Sequence, residues 1–189
     1  WDDSLVIKNY SGSTRGITFR NMQVWTDLAQ SMEIGYETDK GLTLDPEISD
    51  VLFEDITVLY NFHKPVISIH NSDDAFVHDI TYRNILVENA LMQGDNGYNN
   101  ELIEMTLQNS SWSTVRDEFG SIDGVLIDGL TVLNTVDGKV PASRLSGQSE
   151  DNRITNVTLK NVNILGNPIT DLKQMKLRTN EFCDGITVE

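Results

Sequence analysis

The sequence predicts an all-β protein wound as a parallel β-helix of about six rungs. Three observations carry that prediction. A strand-like pattern recurs six times along the 189 residues, each full copy holds Asn, Asp or Gly at one turn position, and no segment keeps a helical period.

The copies occupy residues 16–24, 48–58, 77–87, 122–132 and 154–164, with a shorter sixth at 183–188. Their aliphatic anchors are Ile17, Val51, Ile80, Val125, Val157 and Ile186, spaced 34, 29, 45, 32 and 29 residues apart. Four positions after the anchor stands Asn21, Asp55, Asn84, Gly129 or Asn161. Stacked tight turns need such a column, because Asn and Asp tolerate the left-handed conformation and can hydrogen-bond to the rung beside them. The flanking residues alternate with period two and are rich in β-branched and aromatic types, which reads as strand.

A shorter strand precedes each of the first four copies, at residues 4–8, 31–35, 66–70 and 102–106. Leu5, Met32, Ile67 and Ile103 form one inward column, and Ile7, Ile34, Ile69 and Met105 another. The opposite parity is expected to face solvent: Val6, Glu33, Ser68 and Glu104, then Lys8, Gly35, His70 and Thr106. Polar stretches at 36–47, 91–100, 109–120 and 136–152 read as loops, which in solenoids cluster on one face and wall a cleft. Residues 1–189 are expected to form one domain, with 168–189 capping its last edge.

Composition narrows the function. The chain holds 14 basic and 29 acidic side chains, a formal net charge of −15. That balance excludes a nucleic-acid partner, since no basic patch can neutralise several phosphates, and excludes an anionic membrane surface. No apolar run reaches the roughly 18 residues that span a bilayer. One cysteine, Cys183, leaves no internal disulfide framework and no cysteine-rich zinc site.

Short motifs then resemble a known family. Trp1-Asp2-Asp3-Ser4-Leu5-Val6-Ile7-Lys8 is similar to the Gly-Asp-Asp-Cys-Ile-Ala-Ile-Lys segment of glycoside hydrolase family 28, the polygalacturonases and other pectinases. Ala29-Gln30-Ser31-Met32-Glu33-Ile34-Gly35-Tyr36 matches the place of that family's Gly-His-Gly-Leu-Ser-Ile-Gly-Ser, with Gln30 at the histidine. Lys64-Pro65-Val66-Ile67-Ser68-Ile69-His70 stands against Asn-Gly-Val-Arg-Ile-Lys, so Ser68 and His70 replace the pair that grips a uronate. The resemblance implies a right-handed, pectin-lyase-like β-helix and an inverting glycosidase. It also implies a further carboxylate one rung before Asp2. The expectation is a C-terminal portion of a longer or two-chain solenoid, partnered by N-terminal rungs.

Glycoside hydrolysis needs one protonated acid at the leaving oxygen and one carboxylate that activates water. Adjacent Asp2 and Asp3 repel when both ionise, so one is expected to titrate high and serve as general acid. Gln30, Glu33, Ser68, His70, Lys8 and Glu104 are the expected substrate-binding floor, with His70 able to titrate near neutral pH. Losing the uronate pair points to a neutral or less acidic glycan. Tyr36, Tyr60, Trp25 and Trp112 offer sugar-stacking surfaces. No cofactor is expected, although Asp73-Asp74 and the Asp95–Asn100 loop offer oxygen ligands for Ca²⁺. The alternatives are a non-catalytic carbohydrate-binding or adhesion β-helix and a Ca²⁺-dependent polysaccharide lyase. Each of these readings places the protein outside the cell or in a periplasm.

Overall fold

The computed structural model describes residues 2–10, 12–38, 44–93, 100–113 and 116–189. The described residues are all-β, with one 3₁₀ turn at Val136–Gly138 and no α-helix. β1 (Leu5–Asn9), β3 (Met32–Thr38), β5 (Ile67–Asn71), β7 (Ile103–Leu107), β9 (Ser143–Ser146) and β13 (Leu177–Thr179) form one parallel sheet in that order. The long strands β2 (Thr14–Thr26), β4 (Glu47–Asn61), β6 (Phe76–Ala90) and β8 (Ser121–Thr135) lie parallel in a second. β10 (Ile154–Lys160) and β11 (Val162–Ile164) continue that sheet, followed by β14 (Cys183–Asp184) and β15 (Thr187–Val188) against β10. The chain thus passes from the short sheet to the long one and back, laying each circuit beside the last. The arrangement is compatible with a solenoid. β12 (Asn167–Ile169) turns back antiparallel on β11.

The long strands are bent twice. Asn21, Asp55, Asn84, Gly129 and Asn161 form the expected left-handed column, with φ between +53° and +84°. A second column lies five residues earlier, at Gly16, Asp50, Asp79, Gly124, Asn156 and Gly185, with φ between +53° and +69°. These residue types adopt that region at least cost, so each circuit turns its corners without extra residues. Asn84 Nδ2 donates to Asp55 Oδ1 at 3.1 Å, and Asn161 Nδ2 to Asp128 Oδ1 at 2.7 Å, tying neighbouring circuits together.

Between the sheets lies the core. The inward columns named above pair in register: Leu5 with Met32, Ile67 and Ile103, then Ile7 with Ile34, Ile69 and Met105. Opposite them, Phe19, Phe53 and Tyr82 stack at 5.1 and 4.8 Å between ring centroids. Phe53 and Tyr82 are fully buried, as are Ile56, Ile80 and Ile85 to within 1 %. Burying each such side chain stabilises the fold by roughly 1.5–3 kcal/mol, so the stack of circuits is held mainly by these columns.

One stretch differs from expectation. Residues 136–152 read as loop, yet Ser143-Arg144-Leu145-Ser146 is β9, pairing Arg144 with Glu104 and Leu145 with Met105. Its single inward aliphatic, Leu145, gives too little alternation to see in sequence. Parts of the stretches 36–47, 91–100 and 109–120 lie outside the described residues.

Candidate functional site

Alternation along the short sheet puts Val6, Glu33, Ser68, Glu104, Arg144 and Arg178 in one column on its outer side. Gly35, His70 and Thr106 form the adjacent column. The parity is as expected, but the solvation is not. Glu33, Ser68 and Glu104 are wholly buried and His70 is 8 % exposed. Two things cover them. The Tyr36 ring stacks on His70 at 4.3 Å with planes 9° apart, and Arg144 bonds to Glu104. The stretch after β7 is pinned beside them by Ser113 Oγ and Asn109 Nδ2, which donate to the Ser72 carbonyl at 2.7 and 2.8 Å.

Gly35 makes the cover possible. Its φ is +120°, and a Cβ there would stand 2.1 Å from the His70 carbonyl oxygen, so only glycine lets β3 lie this close to β5.

The buried charges neutralise one another in sequence. His70 Nδ1 is 2.8 Å from Ser68 Oγ and 3.4 Å from Glu33 Oε1, while Nε2 is 3.1 Å from Glu104 Oε2. Arg144 Nε donates to Glu104 Oε1 at 3.1 Å, and Arg178 Nη2 donates to Glu101 Oε1 at 3.0 Å. Burial opposes the imidazolium, but Glu33 and Glu104 outweigh it and raise the His70 pKa to about 9. His70 is therefore a fixed cation at neutral pH, which corrects the expectation that it titrates there. Glu104 is buried, which disfavours its charge, yet its bonds to His70 and Arg144 hold its carboxyl below the usual range.

Asp2 and Asp3 sit at the other end of this face. Asp2 is exposed, and its Oδ1 accepts the Asp3 amide at 3.0 Å. Asp3 is half-buried, and its Oδ1 accepts the Gln30 amide at 3.2 Å. Its pKa is raised to about 6, first by burial and then by the charge of Glu33. Asp2 adds only a smaller push, less than the Gln30 amide takes away. Mutual repulsion of the two aspartates is thus not the main cause of the high-titrating acid.

Asp2, Asp3, Lys8, Gln30, Tyr36 and Trp112 help line a cleft of about 480 Å³. A second hollow of about 210 Å³, lined by Tyr36, His70, Thr106, Ser110 and Arg144 among others, adjoins it across Tyr36 and Ser110. The expected site residues are therefore parted by the Tyr36 ring. Asp2, Asp3, Lys8 and Gln30 face the larger cleft, His70 faces the smaller, and Glu33, Ser68 and Glu104 lie beneath. Gln30 is 2 % exposed and donates from Nε2 to the Tyr36 hydroxyl at 3.1 Å, so it supports the ring. Lys8 Nζ lies 2.5 Å from Glu37 Oε2.

Trp112, 62 % exposed, stands on the cleft wall as a stacking surface. Trp25 and Tyr60 instead pack against each other at 5.3 Å on the long sheet. Asp73 accepts the Thr38 amide at 3.2 Å through Oδ2, so it anchors the end of β3. Asp95 lies outside the described residues, and among the described residues no three acidic, His or Cys side chains form a metal-holding cluster. Arg144, Glu101 and Arg178 escaped the sequence reading, because their strands or flanks carry too little alternation to be placed. The chain matches no protein-family model, no curated protein and no solved structure.

Proposed function

We propose that this chain is a glycoside hydrolase of pectinase-like, right-handed parallel β-helix fold with about six rungs. Asp3 acts as general acid on a neutral or weakly acidic polysaccharide. One observation carries the reading: a half-buried carboxyl with a pKa near 6, at the wall of a cleft that also offers Tyr36 and Trp112 for sugar stacking. An acid that keeps its proton to mildly acidic pH is what protonation of a glycosidic oxygen requires. Asp2, exposed beside it, is the candidate for assisting the attacking water, and the family resemblance implies inversion. Rungs from another segment or chain would cover β2 and supply a further carboxylate. The setting is extracellular or periplasmic.

Reducing-sugar release from a panel of polysaccharides tests the reading. Asp3→Asn should lower turnover about 10²- to 10⁴-fold. It should leave the fold intact, since Asn removes a charge that burial disfavours. Wild-type hydrolysis should fall as pH rises through about 6. Full turnover in Asp3→Asn overturns the assignment. The exposed Trp112 favours one second reading, a binding module without cleavage. Glycan retention with no product from any substrate would establish it instead.

A further inference from the structure

The smaller hollow beyond Tyr36 has the parts of a carboxylate clamp, and the protein fills that clamp with an acid of its own. Two cations border the hollow, His70 and Arg144. Both turn to the same side chain. Glu104 Oε1 accepts from Arg144 Nε at 3.1 Å and from Arg144 Nη2 beside it, while Glu104 Oε2 stands 3.1 Å from His70 Nε2. Register sets this up, since β7 lays Glu104 between Ser68 of β5 and Arg144 of β9. A guanidinium on one oxygen and an imidazolium on the other is how such groups hold an acid.

No net charge is left over for a visitor. The other nitrogen of His70 is occupied by Ser68 and Glu33, so Glu33, Glu104, His70 and Arg144 sum to zero. Beyond them Glu101 and Arg178 cancel in the same way at 3.0 Å. The rest of the lining is uncharged: Tyr36, Thr106, Gln108, Asn109 and Ser110. Arg144 is nonetheless reachable, with its side chain 39 % exposed. A guanidinium carries five N–H donors, and Glu104 takes only those on Nε and Nη2, so some remain for a neutral oxygen.

We propose that Glu104 is a specificity-determining residue: its carboxylate stands in for that of an acidic sugar, so the hollow admits an uncharged sugar and rejects a uronate. The inference rests on the glycan reading above and fixes the charge of the sugar held beside the Asp3 cleft. A uronate entering the hollow brings a second carboxylate to cations that Glu104 already satisfies. It sheds water and meets Glu104 across the same two groups, a like-charge encounter that the spare Arg144 donors do not offset. A hydroxymethyl group in its place needs only hydrogen bonds, which Arg144, Thr106 and Gln108 can supply. Discrimination therefore comes from what already occupies the clamp, and less from contacts to the favoured sugar.

Glucose and glucuronate differ only at the sixth carbon, so they are the probes, with the NMR signals of Arg144 Nε–H and the Thr106 amide as reporters. In the wild type glucose should move these signals and glucuronate should not. Glu104→Gln keeps the shape of the side chain and frees both cations. Glucuronate should then bind at least about tenfold tighter than to the wild type, and less tightly in added salt, while glucose changes little. Adding Arg144→Gln should abolish that gain at the Thr106 amide. Gln108→Arg changes an exposed position and leaves the buried cluster whole, so it tests the hollow even if Glu104→Gln does not fold. Its extra cation should also bring glucuronate in. A wild type that takes glucuronate as readily as glucose overturns the proposal, and so does glucose that moves neither signal. So does a folded Glu104→Gln without the gain, and so does Gln108→Arg without it. Hydrolysis is assayed separately through Asp3: absent turnover with these shifts intact would sink the enzymatic reading and leave the filled clamp standing.

Discussion

Two outer faces of this molecule carry columns of alternating charge, and they behave differently. On the long sheet Arg20, Glu54, Arg83, Asp128 and Lys160 lie at the surface, Glu54 and Asp128 partly covered and the Arg20 and Arg83 side chains 54 % and 44 % exposed. On the short sheet Glu33, Glu104 and Arg144 share one column and His70 reaches them from the next, so opposite charges again meet, with Glu33, His70 and Glu104 under a cover. Exposed pairs contribute roughly 0–1 kcal/mol each, because water already satisfies both partners. Buried ones are coupled: removing a member strands its neighbours in a place water does not reach. Identical arithmetic of charge therefore yields a register guide on one face and a locked electrostatic unit on the other.

The contrast is broken most forcefully at its centre. His70→Leu leaves Glu33 and Glu104 buried without their shared cation, and should cost about 3–5 kcal/mol in urea unfolding. A loss below about 1 kcal/mol would mean the face is wetter than its burial states.

The pH response sharpens the comparison next. The folded pKa of His70, about 9, lies above the value of about 6.5 expected when unfolded. Its contribution is fully present below about pH 6.5 and is lost as pH rises through 9, a fall of about 3 kcal/mol. Urea midpoints across that window should drop in the wild type, and the fall centred near pH 9 should be absent in His70→Leu.

The smallest effect belongs to the exposed column. Arg83→Ala removes one of two arginines on Glu54, whose carboxyl those arginine hydrogen bonds hold below its usual range. The urea midpoint should barely move, and the difference should shrink further in added salt.

Much of the architecture was legible because it repeats. The columns headed by Leu5 and Ile7, and the turns at Asn21 through Asn161, follow from spacing alone. The earlier turn column at Gly16, Asp50, Asp79, Gly124, Asn156 and Gly185 was equally open to reading, since each precedes its anchor by one residue. β9 was not, because Leu145 is its lone aliphatic. The site divides in the same way. Alternation places Glu33, Ser68, His70 and Glu104 on one side of a sheet, but nothing local says what lies over it. Tyr36 swings over a neighbouring strand, and Arg144 arrives forty residues after Glu104. The cover on that face therefore depends on those two distant partners.

Register also makes the length of this molecule countable. Val51 and Ile80 lie side by side in neighbouring strands, so excising the 29 residues from 51 to 79 would join the ends in the same pose. The strands can be shed or gained only in whole circuits of this kind, while the loops absorb the differences between spacings of 29 and 45 residues. Hydrophobic columns and bends would close over such a gap with like meeting like, while on the outer long sheet Arg20 would come beside Arg83 in a place water can still screen. The acid face would not, for the excised circuit carries His70, and its loss sets Glu33 directly beside Glu104. Modular growth is therefore open to this protein everywhere except across the three circuits that share one proton-bearing imidazole.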